Sequence, residues 1–211
     1  MNYATLSQAI KDWLSKDTIG SVLPLIIKFG QQDLEDQLRI RAMEYKPVNA
    51  TISAGTASLA VPDDYLELMY LTLIEGTTRN PVDFRWDTKE MHRIAVDTAE
   101  TGLPRRITRV AEVFYFDVTT DSDYSREWAY YRRLTTLSAT APNNTNWWSE
   151  KAEEALLMAC LNKASRYLSG IPEGDKKKWR SAADETRDAL FLNEKKEETG
   201  GSVLRTEGWI L

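Results

Sequence analysis

Apolar residues recur at helical spacing near both ends of this chain and at strand spacing through its middle. That switch of period limits the fold more than any other feature, because the two spacings bury different sets of side chains. At the start, Tyr3, Leu6, Ala9, Ile10, Trp13 and Leu14 predict one amphipathic helix over 3–16. Leu23, Ile26, Ile27, Gly30, Leu34 and Leu38 predict a second over 22–39. Ser21 is its expected N-cap, and Pro24 is tolerated in its first turn. Towards the other end, Ala152, Ala155, Leu156, Ala159 and Ala164 predict a long helix over 147–169, stopped by Gly170. Pro172 opens a last helix that runs to 198 and stops at Gly200-Gly201.

Pro47, Pro62, Pro81 and Pro104 all fall between these helices, where the pattern is that of strands. Residues 48–53 and 57–61 flank Ala54-Gly55, a hairpin signal. The continuous apolar run over 65–74 predicts a central strand. Val82, Phe84 and Trp86 alternate with polar residues, and Asp87-Thr88-Lys89-Glu90 has the spacing of a capping box for a short helix to 96. Three more strands are expected over 105–110, 113–118 and 124–134, with Asp121-Ser122-Asp123 closing the last hairpin. The expected class is α+β: a four-helix bundle from the N- and C-terminal helix pairs, an inserted antiparallel β domain and an extended C-terminal arm. The expected boundaries are 1–44 with 142–198 for the bundle, 45–141 for the insertion with its short helix, and 199–211 for the arm.

Chemistry-bearing residues are scarce. His92 is the only histidine and Cys160 the only cysteine, nearly seventy positions apart, so the common zinc patterns and histidine-activated nucleophiles have nothing to build on. Cys160 falls on the Ala/Leu-rich helix and reads as a small core residue. The acid pairs Asp63-Asp64, Glu153-Glu154 and Glu197-Glu198 sit in a turn or on charged helix faces, where carboxylates need no catalytic role. No glycine-rich phosphate loop occurs. The expectation is a protein that is not an enzyme and takes no cofactor or metal. No signal peptide pattern and no membrane-length apolar run is present, and a lone cysteine implies no oxidising compartment, so a cytoplasmic setting is expected.

Two features suggest surface chemistry instead. Arg126, Trp128, Tyr130 and Arg132 share one face of a strand by period two. Such a face suits a protein interface, or, as the alternative function, the stacking of single-stranded nucleic acid. The net charge of −5 favours the interface, since gripping phosphates needs an excess of Lys and Arg. The second feature is the tail. Gly200-Gly201 releases a short segment carrying Val203, Leu204, Trp209, Ile210 and Leu211. Burying three such side chains yields about 5–8 kcal/mol. Ordering ten residues costs on the order of 10 kcal/mol in backbone entropy. Docking therefore needs hydrogen bonds as well, for instance by strand addition to a partner.

Several segments, taken in order, resemble a known family. They are the opening Met1-Asn2-Tyr3-Ala4-Thr5-Leu6, the stretch from Leu34-Glu35-Asp36-Gln37 through Leu38-Arg39-Ile40-Arg41 to Ala42-Met43-Glu44, and Leu59-Ala60-Val61-Pro62-Asp63-Asp64-Tyr65-Leu66-Glu67-Leu68. Gly102-Leu103-Pro104-Arg105-Arg106, Tyr130-Tyr131-Arg132-Arg133-Leu134 with Leu137-Ser138, and Asn146-Trp147-Trp148 follow. The chain resembles the head-to-tail adaptor of short-tailed bacteriophages, also called tail tubular protein A or gatekeeper. The resemblance implies a structural virion protein of the tail, assembled in the host cytoplasm. It implies a homo-oligomeric ring, a dodecamer, between portal and tail nozzle around the DNA channel. The portal protein and nozzle protein are then the partners, tail fibre proteins attach near that junction, and DNA passes without specific binding. The C-terminal extension in such proteins embraces the portal or a neighbouring subunit. No membrane is involved.

Overall fold

The side chain of Asn2 accepts from the Thr5 backbone N–H at 2.9 Å, and Thr5 answers through its own hydroxyl, so a reciprocal cap starts the first helix. The computed structural model of the chain describes residues 1–15, 19–85 and 100–198. The class is mixed α+β, and the chain divides into two units. One combines Met1–Ala42 with the chain from Leu134 onward; the other is Met43–Arg133.

The first unit is helical. It contains α1 (Tyr3–Leu14), α2 (Leu23–Gln37), α3 (Trp147–Lys151), α4 (Glu153–Tyr167) and α5 (Glu173–Glu198). The single helix expected over 147–169 is two, because Ala152 leaves the helical region at φ −134° and ψ 44°. Each of the other four helices packs against α4. Leu156, Ala159, Cys160, Leu161 and Ala164 are buried there. They meet Leu6 and Ile10 of α1, Ile26, Ile27 and Leu34 of α2, and Trp179 and Ala183 of α5, all buried. Gly30 makes the closest approach possible: a Cβ there would lie 2.6 Å from Cys160 Sγ and 3.0 Å from its backbone N. Ser21 is not the cap of α2; Val22 takes that place without a side-chain bond, and Pro24 lies in the first turn as expected.

Residues 134–141, expected with the strands, are tied to α2 instead. Gln31 Nε2 donates to the carbonyls of Leu134 and Thr135, and Leu137 N donates to Gln31 Oε1 at 3.3 Å.

The second unit holds eleven short or long strands among the described residues: β1 (Glu44–Tyr45), β2 (Ala50–Ile52), β3 (Ser58–Ala60), β4 (Tyr65–Glu75), β5 (Thr78–Pro81), β6 (Asp83–Phe84), β7 (Thr101–Gly102), β8 (Arg106–Val110), β9 (Val113–Phe116), β10 (Thr119–Thr120) and β11 (Tyr124–Arg132). One sheet has the order β1-β11-β4-β5 with β2 also on β11, a second has β3-β9-β8-β6, and β7 pairs with β10. β4 is central, as its apolar run predicts.

Two expectations fail here. Ala54-Gly55 does not join a hairpin: β2 pairs with β11 and β3 with β9, so the turn carries the chain from one sheet to the other. Gly55 takes φ +83°, and its N–H donates to Thr120 O at 2.7 Å rather than across a hairpin. The insertion is also not wholly antiparallel, since β6 with β8 and β7 with β10 are parallel. The twenty-odd residues between β6 and β8 supply the crossover length that a parallel pair needs. The expected helix over 87–96 lies outside the described residues. Ile52, Leu71, Leu73, Ile107, Phe114, Phe116, Tyr124, Trp128 and Tyr130 form the shared core of the two larger sheets.

Candidate functional site

Period two does place Arg126, Trp128, Tyr130 and Arg132 together, but it turns them inward. Trp128 and Tyr130 are only 4% and 3% exposed. Their rings lie 5.0 Å apart. Phe114 meets Trp128 edge-on at 6.3 Å, and Tyr45 meets Tyr130 edge-on at 5.6 Å. Tyr65 touches both Tyr130 and Phe114, at 5.6 and 5.2 Å. Such offset and edge-on pairs add to what burial alone contributes.

Three guanidinium groups cap this cluster. Arg126 lies 4.6 Å over Trp128, Arg132 4.3 Å over Tyr45 and Arg109 5.0 Å over Tyr65. Burial lowers the pKa of Arg126, and burial with the Asp64 bond raises that of Tyr130, whose hydroxyl lies 3.0 Å from Asp64 Oδ1. The two rings of this face are therefore core, with Arg126 and Arg132 half-buried at its edge. A base stacks only on an accessible ring, so these four residues do not make a nucleic-acid platform. Residues with alternating apolar and basic character on a strand read equally well as an arginine-capped interior, and the sequence does not separate the two.

On the opposite face of β11, Glu127 accepts from Lys46 Nζ and Arg79 Nη2, both at 2.7 Å. Those two bonds hold its carboxyl below the ordinary range.

Among the described residues the second unit has a cleft of about 470 Å³. One wall is the start of β4, with Tyr65, Leu66, Glu67 and Leu68; the other brings Phe84 and Arg85 beside Thr108 and Arg109. The second wall is held by Arg85 N donating to Ile107 O, by Thr108 Oγ1 donating to Arg85 O and by Arg109 Nε donating to Ala111 O, all within 2.9 Å. Its residues come from segments twenty to forty positions apart, and no local motif announces it. Among the described residues no group of His, Cys, Asp and Glu is placed to hold a metal ion, and no helix is long and apolar enough to cross a membrane. His92 and the tail residues Val203, Leu204, Trp209, Ile210 and Leu211 lie outside the described residues. Cys160 is fully buried against Gly30, and burial raises its thiol pKa, so it is packing rather than a nucleophile.

A family model described as SU10 adaptor protein matches residues 1–206. The chain belongs to the SU10 adaptor protein family. It is a phage structural adaptor, a virion component that associates with other head and tail parts, and the family is not a known enzyme family. No curated protein matches the adaptor. The family match ends before Trp209-Ile210-Leu211, so the apolar tip of this adaptor lies outside it.

Proposed function

We propose that this adaptor is of the tail tubular protein A, or gatekeeper, type and forms a dodecameric ring between the portal protein and the tail nozzle protein. The family match across residues 1–206 carries this reading. In it, DNA passes through the ring without specific binding, and tail fibre proteins attach near the nozzle junction. The helical unit, Met1–Ala42 with the chain from Leu134, meets the portal, the strand unit Met43–Arg133 faces the nozzle, and the arm over 199–211 docks through Val203, Leu204, Trp209, Ile210 and Leu211. A ring of identical subunits also needs two different lateral faces on each copy, beyond those turned to portal and nozzle. The acidic balance of the chain suits a channel that does not retain DNA.

The test is an image of the native particle together with a portal-binding assay. Twelvefold density between portal and nozzle, and loss of portal binding in a chain truncated at Gly200, are the expected results. A different position in the particle would overturn the ring assignment. Unchanged binding by the truncated chain would overturn the role of the arm.

A further inference from the structure

Arg187 of α5 donates to Oε1 of Gln37, the last residue of α2, and Glu194 then accepts from the N–H of Arg41 beyond it. The distal stretch of α5 therefore runs on past the end of α2, by on the order of 16 Å at the rise of an α-helix. Trp179 and Ala183 are buried, but from Asp184 to Glu198 no residue is. In this stretch the polarity is inverted. The side turned to its own unit carries Arg187 and Glu194, while Phe191 and Leu192 are 48% and 57% exposed. A helix that packs only on its own unit turns its apolar residues inward. Glu185 and Asp188, both exposed, stand one and two turns before Leu192, and Lys195 lies 5.3 Å over the Phe191 ring. Glu185 accepts from Ser181 within the helix, and Asp188 lies 3.4 Å from Arg187.

A second apolar face lies on α2 and α4. Leu25 and Phe29 are one turn apart, and the ring of Tyr167 stacks on Phe29 at 5.9 Å. Leu25 and Tyr167 are 52% and 67% exposed. Lys28 and Arg166 are exposed cations beside them, and the Lys163–Asp33 ion pair lies one turn further along.

We infer that these two faces meet between copies, the distal half of α5 in one subunit lying on the Leu25–Phe29–Tyr167 face of the next. The inference rests on the ring proposed above and names its two lateral faces. Charge selects a second copy as the occupant. Glu185 and Asp188 of the giving face meet Lys28 and Arg166 of the receiving one, whereas either face laid on its like would set acid on acid or base on base. The contact is heterologous, because the two faces belong to different helices, so each copy binds through both and a series of copies closes into a ring. Five half-exposed side chains bring together on the order of 500 Å², against roughly 1,600 Å² for a stable complex. A single such contact is therefore weak in solution and has to be trapped.

The experiment uses full-length chains with single cysteines at the rim of each face, Gln32→Cys in one and Ala189→Cys in the other, and a short bismaleimide. Cys160 is buried and leaves the reagent to the introduced thiols. The mixture should give a covalent one-to-one dimer, and neither chain alone should crosslink to itself. Lys28→Glu with Arg166→Glu in the first chain should slow crosslinking at least tenfold, and Glu185→Lys with Asp188→Lys in the second should restore it. Leu192→Asp in the second chain serves as a further variant, and circular dichroism checks that each keeps the fold. Crosslinking of either chain with itself at the rate of the mixture, no dimer even at millimolar protein, or a rate untouched by charge reversal overturns the pairing. Dimers that form only when both chains end at Thr199 would assign one face to the chain's own last segment and overturn the second copy. A ring in the native particle without this crosslink removes the two faces and leaves the ring; the crosslink without a ring in the particle does the reverse.

Discussion

The indole N–H of Trp148 donates to the carboxylate of Glu35 at 3.2 Å, and both residues are buried, at 0% and 1% exposure. The same oxygen accepts from Gln31 Nε2 at 2.9 Å and from Leu134 N at 3.2 Å. Gln31 Oε1 in turn accepts from Asn146 Nδ2 at 3.0 Å. Two polar residues one turn apart on α2 thus fasten the returning chain before α3 begins.

Trp148→Phe keeps the ring and removes one donor, while two donors to Glu35 remain. Glu35→Ala takes the acceptor from two donors at once, the Trp148 indole N–H and the Leu134 N–H, while Gln31 Nε2 keeps its bonds to the Leu134 and Thr135 carbonyls. Leaving one buried polar group unmatched costs about 1–3 kcal/mol. Urea unfolding should therefore show a loss near the bottom of that range for Trp148→Phe and a clearly larger one for Glu35→Ala. Equal losses would mean that Glu35 acts through something other than these bonds.

Gly30→Ala forces a methyl group into a space already held by Cys160. Overpacking of this kind costs about 1–3 kcal/mol. Adding Cys160→Ala removes the nearest atom, so the double variant should recover part of the loss. The backbone of Cys160 stays within 3.1 Å, so recovery stays incomplete. A thiol reagent should reach Cys160 only on unfolding.

Lys46 and Arg79 hold the Glu127 carboxyl below its unfolded pKa. The stabilisation is complete above that unfolded value, about 4.3, and is lost as pH falls through the lower folded value. Melting temperature measured against pH should drop on that acid side. Glu127→Gln should flatten the drop while leaving the curve above pH 6 without a new slope. An unchanged acid limb would assign it to other carboxylates.

Trp128 is core, so Trp128→Ala should cost about 3–5 kcal/mol in stability. The intact adaptor should not retard single-stranded DNA even at low salt. Salt-sensitive retardation abolished by Trp128→Phe, which preserves the packing, would restore the nucleic-acid reading.

The first two helices and the core of α4 were legible because an apolar stripe predicts them, the last because Pro172 opens it, and the strand 65–74 because its run is long. The break at Ala152 was not, since alanine is the best helix former and only tertiary packing overrides it. Ala54-Gly55 announced a turn correctly but not what it joins; turn chemistry is local, and the partners of β2 and β3 lie more than fifty residues away. The aromatic and basic residues of β11 were found as a set, but the direction they face depends on whether a second sheet covers them. Phe114, which closes on Trp128, comes from that second sheet. The Glu35 network escaped because a carboxylate inside an amphipathic helix ordinarily faces water.

The helical unit is built from two stretches of chain, and every other helix in it leans on α4. On a ribosome, α1 and α2 are complete long before α4 exists. At roughly 5–20 residues per second, the wait is on the order of ten seconds. The strand unit, made of one continuous stretch, is finished inside that interval. The first two helices therefore spend their early life with apolar stripes uncovered, and the subunit becomes fit to join others only when nearly all of it has been made.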